Sequence, residues 1–231
     1  MDIDSKRPLR HPAVVRLTHW IHAISFIALV LSGVAILLAY PRLHWGETGT
    51  YGSPSFIDLP LPFVLDLPLR GPGRHIHFLA AWVALFAGLV YVFSGLWTRR
   101  LRHELLPRIS DLRFRTLRTV ISNHIHFKRP EEEEFWTYNA LQKTSYLAVV
   151  FFLLPFMFLT GLAMSPAVTS VFPSIVNLLG GHQTARTLHF FAAVLLVSFL
   201  ILHVGLVAIS GFARRCRAMI TGYSFRKGAH E

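Results

Sequence analysis

Residues 187–213 read TLHFFAAVLLVSFLILHVGLVAISGFA, and the prediction of the fold starts from them. It contains no Asp, Glu, Lys or Arg, and it exceeds the roughly 20 apolar residues that cross a membrane core of about 30 Å. Two histidines, His189 and His203, interrupt it. Ionisable side chains are costly inside a bilayer and by default mark a function there. The sequence therefore predicts a transmembrane helix that carries two functional imidazoles.

Three further stretches lack charged residues and predict three more membrane spans. They are Leu17–Pro41, His75–Thr98 and Thr144–Ala185. The last is too long for one span, and Pro166 and Pro173 should end its helix near Met164. We therefore predict an all-α integral membrane protein, a four-transmembrane-helix bundle that forms a single domain over residues 1–231. Its spans should lie at about 14–40, 75–98, 138–164 and 186–213, with a cytoplasmic loop at 99–137.

The composition excludes most classes of soluble protein. Of the 231 residues, 53% are hydrophobic and only 15% are charged, with a mean hydropathy of +0.47. A soluble domain of this size cannot bury so much apolar surface. The single cysteine, Cys216, excludes an intrachain disulfide, a four-cysteine iron–sulfur cluster and a cysteine-based zinc site. The first span is longer than the core of a signal peptide, so we expect it to be retained.

The basic residues are distributed unevenly between the two sides of the predicted membrane. The chain has 23 Lys and Arg against 12 Asp and Glu, a net charge of +11. All but four of these basic residues lie on the side that holds both termini; the exceptions are Arg42, Arg70, Arg74 and Arg186. Because basic residues accumulate on the cytoplasmic side, both termini should be cytoplasmic. Topology thus accounts for the charge, and we expect no nucleic-acid partner.

The two histidines of the fourth span should face the same way. They are 14 residues apart, which is nearly four helical turns, and about 21 Å apart along the axis. Each needs a partner at its own depth, and the alternating direction of the spans limits the choice. The predicted pairings are His75 or His77 with His189 near the outer side, and His19 or His22 with His203 near the cytoplasm.

Facing imidazoles at two depths suit two six-coordinate b-type haems enclosed by the bundle. Because two histidines fill both axial positions of the iron, such haems carry electrons and bind no substrate. A zinc or copper site is the chemical rival, but it needs three or four ligands at one depth. Histidines near helix ends are also common interfacial residues, so a structural anchor with vestigial histidines is the opposing hypothesis.

Short motifs in three of the spans resemble one family. Arg16-Leu17-Thr18-His19-Trp20, followed by Ser32-Gly33, resembles the first helix of bacterial di-haem cytochromes b of the b561 type. Arg74-His75-Ile76-His77 resembles the second helix, and Arg186-Thr187-Leu188-His189, with His203 fourteen residues later, resembles the fourth. The family includes the cytochrome b subunits of nickel–iron hydrogenases, formate dehydrogenase gamma subunits and thiosulfate-reductase cytochromes b.

The resemblance implies which histidines bind the haem irons. It gives His19, His77, His189 and His203 as axial ligands, paired His77–His189 at the outer haem and His19–His203 at the inner haem. The other histidine of each doublet would support a ligand or lie at the interface. The resemblance also implies a bacterial inner-membrane location and two haem b groups as cofactors.

The resemblance further implies electron transfer between the quinone pool and a periplasmic oxidoreductase. The residues 138–143 and Met164-Ser165-Pro166 look most like the thiosulfate-reductase branch, whose neighbours are molybdopterin oxidoreductases. We expect no catalytic residue in this chain and expect the bilayer, quinone and a periplasmic redox subunit as partners. The loops at 42–73 and 165–185 are the candidate surfaces for that subunit. The alternative function is a stand-alone superoxide:quinone oxidoreductase of the same fold.

A cluster of polar residues at the cytoplasmic start of the third span is the candidate quinone site. It consists of Tyr138, Asn139, Gln142 and Lys143. These side chains could donate hydrogen bonds to a quinone near the inner haem. Anchoring at the interface by a tyrosine and a snorkelling lysine is the competing explanation.

Overall fold

The computed structural model describes residues 11–49, 52–59, 72–99 and 140–223, with the side chains of 140–143 left aside. Within these ranges, four helical segments are long and apolar enough to cross a membrane. They are Ala13–Ala39 (α1), Gly73–Trp97 (α2), the continuous run Thr144–Leu162, and His182–Ile209 (α7). The prediction of a mostly helical protein with four candidate membrane spans is confirmed, although the described residues also include two short strands. The predicted cytoplasmic loop at 99–137 lies almost entirely outside the described residues.

The spanning helices present large apolar side chains outward. Ile24 on α1 and Leu79 on α2 are each 68% exposed, and Phe152 on the third span is 74% exposed. The residues that are buried are mostly small or hydroxylated, such as Ala192 and Thr187. This is the reverse of a soluble protein and is typical of helices that pack through small residues and face lipid. The outward apolar surface agrees with a membrane location.

The third span is not a uniform α-helix. Ala140–Ala148 (α3) leads into a π-helical turn at Val149–Leu153, and Leu154–Leu162 (α4) follows. Pro155 has no backbone N–H and disfavours a regular turn before it. The backbone N–H of Leu154 donates to the carbonyl of Val149, so the irregularity is absorbed in the π-helical turn. Two short helices, Pro166–Thr169 (α5) and Ser174–Leu178 (α6), then follow.

The fourth spanning helix begins and ends earlier than predicted. It starts at His182, whose backbone N–H donates to the Glu47 carboxylate at 3.1 Å and so has a partner at the helix end. The predicted start at 186 rests on the charge of Arg186. In the structure Arg186 lies within the helix, and its guanidinium donates to the backbone carbonyls of Tyr40 and Arg42. At the other end, Gly211 has a positive φ of 98° and breaks the chain into a separate helix, Phe212–Thr221 (α8).

Contacts between Cα atoms divide the chain into two compact units. The first comprises Met1–Ala23, Phe86–Tyr146 and Leu200–Glu231, and the second comprises Ile24–Leu85 and Leu147–Phe199. In the first unit, α8 is attached to the start of α1. Arg16 donates to the Ile220 carbonyl, and the indole of Trp20 donates to that of Met219 at 3.2 Å. These donors satisfy carbonyls at the C-terminus of α8, where the helix dipole favours a cation.

In the second unit, an unpredicted β-hairpin holds the beginning of α7. Arg42–Leu43 (β1) pairs antiparallel with Ile57–Asp58 (β2), and an Arg42–Asp58 ion pair of 3.1 Å joins them. From α7, Arg186 donates to the carbonyl of Arg42 at 2.6 Å, and Thr187 donates to that of His44 at 2.7 Å. The hairpin is therefore hydrogen-bonded to the same turn of α7 that leads to His189.

A glycine at the start of α7 fits closely against the segment after β1. Gly181 has a φ of 113°, and a Cβ at this position would overlap the backbone of Gly46. The replacement Gly181→Ala should destabilise the protein by about 1–3 kcal/mol through this backbone conformation, and further through the overlap. The measurement is thermal unfolding in detergent.

The control is Gly205→Ala, because a Cβ at Gly205 meets nothing within 4 Å and alanine favours a helix. Equal melting temperatures for Gly181→Ala and the unsubstituted protein would contradict the close fit.

Candidate functional site

Four polar residues, one from each spanning segment, lie in a row in the second unit, and we call this row the polar chain. It runs from Ser32 on α1 to His77 on α2, then to His189 on α7 and Thr160 on α4. Nδ1 of His77 lies 3.0 Å from the Ser32 hydroxyl, and Nδ1 of His189 lies 3.0 Å from the Thr160 hydroxyl. The two imidazole rings face each other with centroids 6.2 Å apart and planes 63° apart.

The hydrogen bonds around the two hydroxyls favour one tautomer of each histidine. The Ser32 hydroxyl donates to the Ala28 carbonyl at 2.6 Å, and the Thr160 hydroxyl donates to the carbonyls of Phe156 and Met157, each at 3.0 Å. Each hydroxyl hydrogen thus has a carbonyl to bond, and the hydroxyl oxygen can accept from an Nδ1–H. The carbonyl of Leu29 for His77, and that of Met157 for His189, is a second acceptor for the same ring. In this arrangement Nδ1 of each histidine carries the proton. This leaves Nε2 of both rings unprotonated and available as a metal ligand.

A glycine follows each of these hydroxyl residues and makes room for the ring. A Cβ on Gly33 would lie 3.4 Å from Cε1 of His77, and a Cβ on Gly161 would lie 3.3 Å from Cε1 of His189. Both separations are tight, so a larger side chain would press on the ring. Each dipeptide thus places a hydroxyl beside Nδ1 of one histidine and a glycine beside its Cε1. Ser32-Gly33 on α1 does this for His77, and Thr160-Gly161 on α4 does it for His189.

A second histidine pair lies in the first unit. The rings of His19 on α1 and His203 on α7 have centroids 6.5 Å apart and planes 52° apart. The ring of Tyr146 on α3 also lies 6.5 Å from that of His203. Nδ1 of His19 is buried and has no hydrogen-bond partner within the part of the chain that the structure describes. This pair therefore lacks, at His19, the hydroxyl that each ring of the other pair contacts.

The separation of each pair fits one metal ion held between two imidazoles. An imidazole nitrogen binds a metal at about 2.0–2.1 Å, and the ring centroid lies about 1.1 Å behind it, so two such rings have centroids about 6.3 Å apart. The observed separations are 6.2 Å and 6.5 Å. The described residues contain no group of three or more His, Cys, Asp or Glu that could hold a metal. Two ligands per iron therefore fit a haem, whereas a zinc or copper site is not formed among them.

The second histidine of each predicted doublet has a different place from its neighbour. His22 donates from Nδ1 to the Thr18 carbonyl at 2.8 Å, and its Nε2 is 3.5 Å from a Cβ placed on Gly88. His75 is exposed at the start of α2. Neither ring takes part in the two facing pairs.

The candidate quinone residues lie mostly beyond the description. Tyr138 and Asn139 are outside the described residues, and so are the side chains of Gln142 and Lys143. The quinone site therefore stays a prediction.

Sequence reasoning missed Thr160 and Tyr146, and for the span glycines it left open whether they admit a haem or only pack helices together. The available signal was the dipeptide in which a hydroxyl residue precedes a glycine within an apolar stretch, at 32–33 and 160–161, although it also occurs at 94–95 and 210–211. A buried hydroxyl beside a glycine can bond a ring and also let it approach. That signal becomes specific only when a histidine is known to lie opposite.

Comparison with known proteins agrees with this arrangement. The profile of the family described as prokaryotic cytochrome b561 matches residues 10–222. The chain belongs to this family. Membership implies b-type haem and membrane electron transport, and the donor pairs described above fit such a group.

Two relatives show the range of this similarity. The putative protein-methionine-sulfoxide reductase subunit YedZ1 of Azospira oryzae is 31% identical over 215 residues, which cover 92% of this chain and 96% of the relative. The formate dehydrogenase cytochrome b556(fdo) subunit of Escherichia coli K12 is 25% identical over 196 residues, or 85% of this chain and 76% of the relative. No solved structure matches the chain.

The close approach of Gly161 to His189 gives a test of the site. In Gly161→Val, the branched side chain should displace the imidazole, since overpacking of this kind costs about 1–3 kcal/mol. We expect the purified protein to lose roughly half of its haem, because one of two ligand pairs is disturbed. The measurement is the pyridine haemochrome content per chain.

Gly205→Val is the matched control, because Gly205 also lies in a spanning helix but has open space beside its Cα. Full haem content in the Gly161→Val protein would show that this glycine does not fit against a ligand.

Proposed function

We propose that this chain is a di-haem membrane subunit that passes electrons between the quinone pool and a periplasmic oxidoreductase. His77 and His189 would hold the haem near the periplasm, and His19 and His203 the haem near the cytoplasm. The protein would lie in the bacterial inner membrane as a single domain with both termini in the cytoplasm. The observation that carries the proposal is the separation of the two histidine pairs, 6.2 Å and 6.5 Å, at the distance a shared iron requires.

The two imidazoles of each pair would hold one haem iron between them. When bound, each haem supplies one-electron chemistry by cycling between ferrous and ferric iron. With two imidazole ligands, no axial position remains open, so the chain would carry electrons rather than bind a substrate at the metal. The unprotonated Nε2 of His77 and His189, set by their Nδ1 hydrogen bonds, is the form of the ligand that this requires.

The relatives favour a reductase as the partner. The match to the relative named as a protein-methionine-sulfoxide reductase subunit covers nearly all of both chains, whereas the match to the formate dehydrogenase subunit covers less of each. We therefore propose that electrons pass from quinol, through this chain, to a periplasmic reductase, which would be molybdopterin-dependent. The β-hairpin at 42–58 and the short helices α5 and α6 are the proposed contact surface.

The haem assignment is tested with two single replacements. A dithionite-reduced minus oxidised spectrum and a haemochrome count should give two b haems per chain in the unsubstituted protein. His189→Ala should lose one haem, and His203→Ala should lose the other, because each removes one of two axial ligands. The two variants should therefore keep complementary parts of the spectrum.

His75→Ala serves as the control, because His75 is exposed and contacts no other described histidine ring. If well-folded protein without replacements contains no haem, the electron-transfer function is wrong and the structural-anchor hypothesis replaces it. If His75→Ala loses haem and His189→Ala does not, the ligand set is wrong but the function stands.

The proposed quinone site at Tyr138, Asn139, Gln142 and Lys143 is tested separately. Lys143→Ala should slow the reduction of haem by a quinol at least several-fold, because it removes a donor that would bind the quinone oxygen. Dithionite, which needs no quinone site, should reduce the same variant fully, and blue-native electrophoresis should show an intact protein. An unchanged rate of reduction by quinol would place the site elsewhere.

The described residues give little support to the alternative function, that of a superoxide:quinone oxidoreductase. It relies on Arg70, Arg74 and Arg186 to attract an anion near the periplasmic haem. Arg186 donates to the carbonyls of Tyr40 and Arg42, and its guanidinium lies 5.0 Å from the centroid of the Tyr40 ring. This places it in a structural role that holds the hairpin on α7. Arg70 lies outside the described residues. Of the two arginines that are described, Arg74 is exposed and Arg186 is half-buried.

A further inference from the structure

We infer that Ser32 and Thr160 are positioning residues that fix the orientation and the electron density of the imidazoles at the periplasmic haem. At the cytoplasmic haem, Nδ1 of His19 has no such hydroxyl partner among the described residues. This rests on the proposed haem ligation. Neither hydroxyl is adjacent in sequence to a histidine, and both come from helices that contribute no ligand to this pair. Their role follows from the polar chain of the second unit.

Burial and hydrogen bonding make both hydroxyls specific partners. Ser32 is 1% exposed and Thr160 is fully buried. Each stands at 3.0 Å from an Nδ1 and passes its own hydrogen to a backbone carbonyl one turn earlier in its helix. The hydroxyl oxygen can therefore accept from the ring, beside the backbone carbonyl of Leu29 for His77 and of Met157 for His189. This fixes the tautomer and the rotation of the ring about its Cβ–Cγ bond.

The electronic consequence has a definite sign. An Nδ1–H that donates a hydrogen bond makes the imidazole a more basic ligand. A more basic ligand stabilises ferric iron more than ferrous iron, so the reduction potential falls. Both ligands of the periplasmic haem have this bond, whereas Nδ1 of His19 has no partner among the described residues. The hydroxyls thus lower the potential of one haem and leave the other unaffected.

Redox potentiometry of the purified, haem-loaded protein tests this inference. Ser32→Ala and Thr160→Val should each raise the midpoint potential of one haem, the one that is absent in His189→Ala, and leave the second midpoint in place. The low-spin ferric EPR signal of the same haem should also change, because its anisotropy depends on the angle between the ligand planes. Thr160→Ser keeps the hydroxyl and should retain the original potential.

Thr187→Val is the matched control. Thr187 is a fully buried hydroxyl two residues from His189, but it donates to the His44 carbonyl rather than to a ring. Its replacement should leave both midpoints unchanged. Two intact haems with unshifted potentials in Ser32→Ala and Thr160→Val, or equal shifts of both haems, would overturn the inference.

Loss of haem is also interpretable. If Thr160→Val loses one haem and Thr160→Ser keeps it, the hydroxyl is required and the inference stands. If both lose it, side-chain volume matters rather than the hydroxyl, and the inference fails. Absence of haem from the unsubstituted protein would instead refute the proposed function, so the two failures are distinguishable.

Discussion

An imidazole inside an apolar helix is costly unless its ring nitrogens have partners, and the second unit is organised around this constraint. No water reaches the middle of a membrane, so an unsatisfied polar group there is costly. In the second unit the constraint is met by taking one residue from each spanning segment, in the order Ser32, His77, His189 and Thr160. Small residues, notably Gly33 and Gly161, follow from the same need, because the rings must approach the neighbouring backbones.

The hairpin segment outside the spans is also hydrogen-bonded to a helix that carries one of these histidines. Arg186 and Thr187 bind backbone carbonyls of residues 40–44, and Glu47 accepts from the first turn of α7. The candidate ligand His189 follows immediately on the same helix. A surface proposed to receive a redox partner is thus built on the turn that carries a ligand. This rigid connection suits electron transfer, in which little should move.

Hydropathy and the spacing of charges were sufficient to predict the class, the four spans and the end of the third helix near its prolines. The 14-residue spacing of His189 and His203 predicted two sites, and family motifs selected His19 and His77, the rings that the structure brings opposite them. The hairpin could not be predicted, because its strands have two residues each and depend on donors from α7. Thr160 was missed for the same reason: its role exists only through a residue on another helix.

The π-helical turn at Val149–Leu153 determines which way Thr160 and Gly161 face. Such a turn holds one residue more than the α-helical path it replaces, and one residue corresponds to a rotation of about 100°. Shortening this stretch by a single residue would leave it entirely hydrophobic but turn the hydroxyl and the glycine away from His189. In an alignment of homologues, an insertion or deletion within 149–153 would therefore separate proteins that share this ligand environment from proteins that do not.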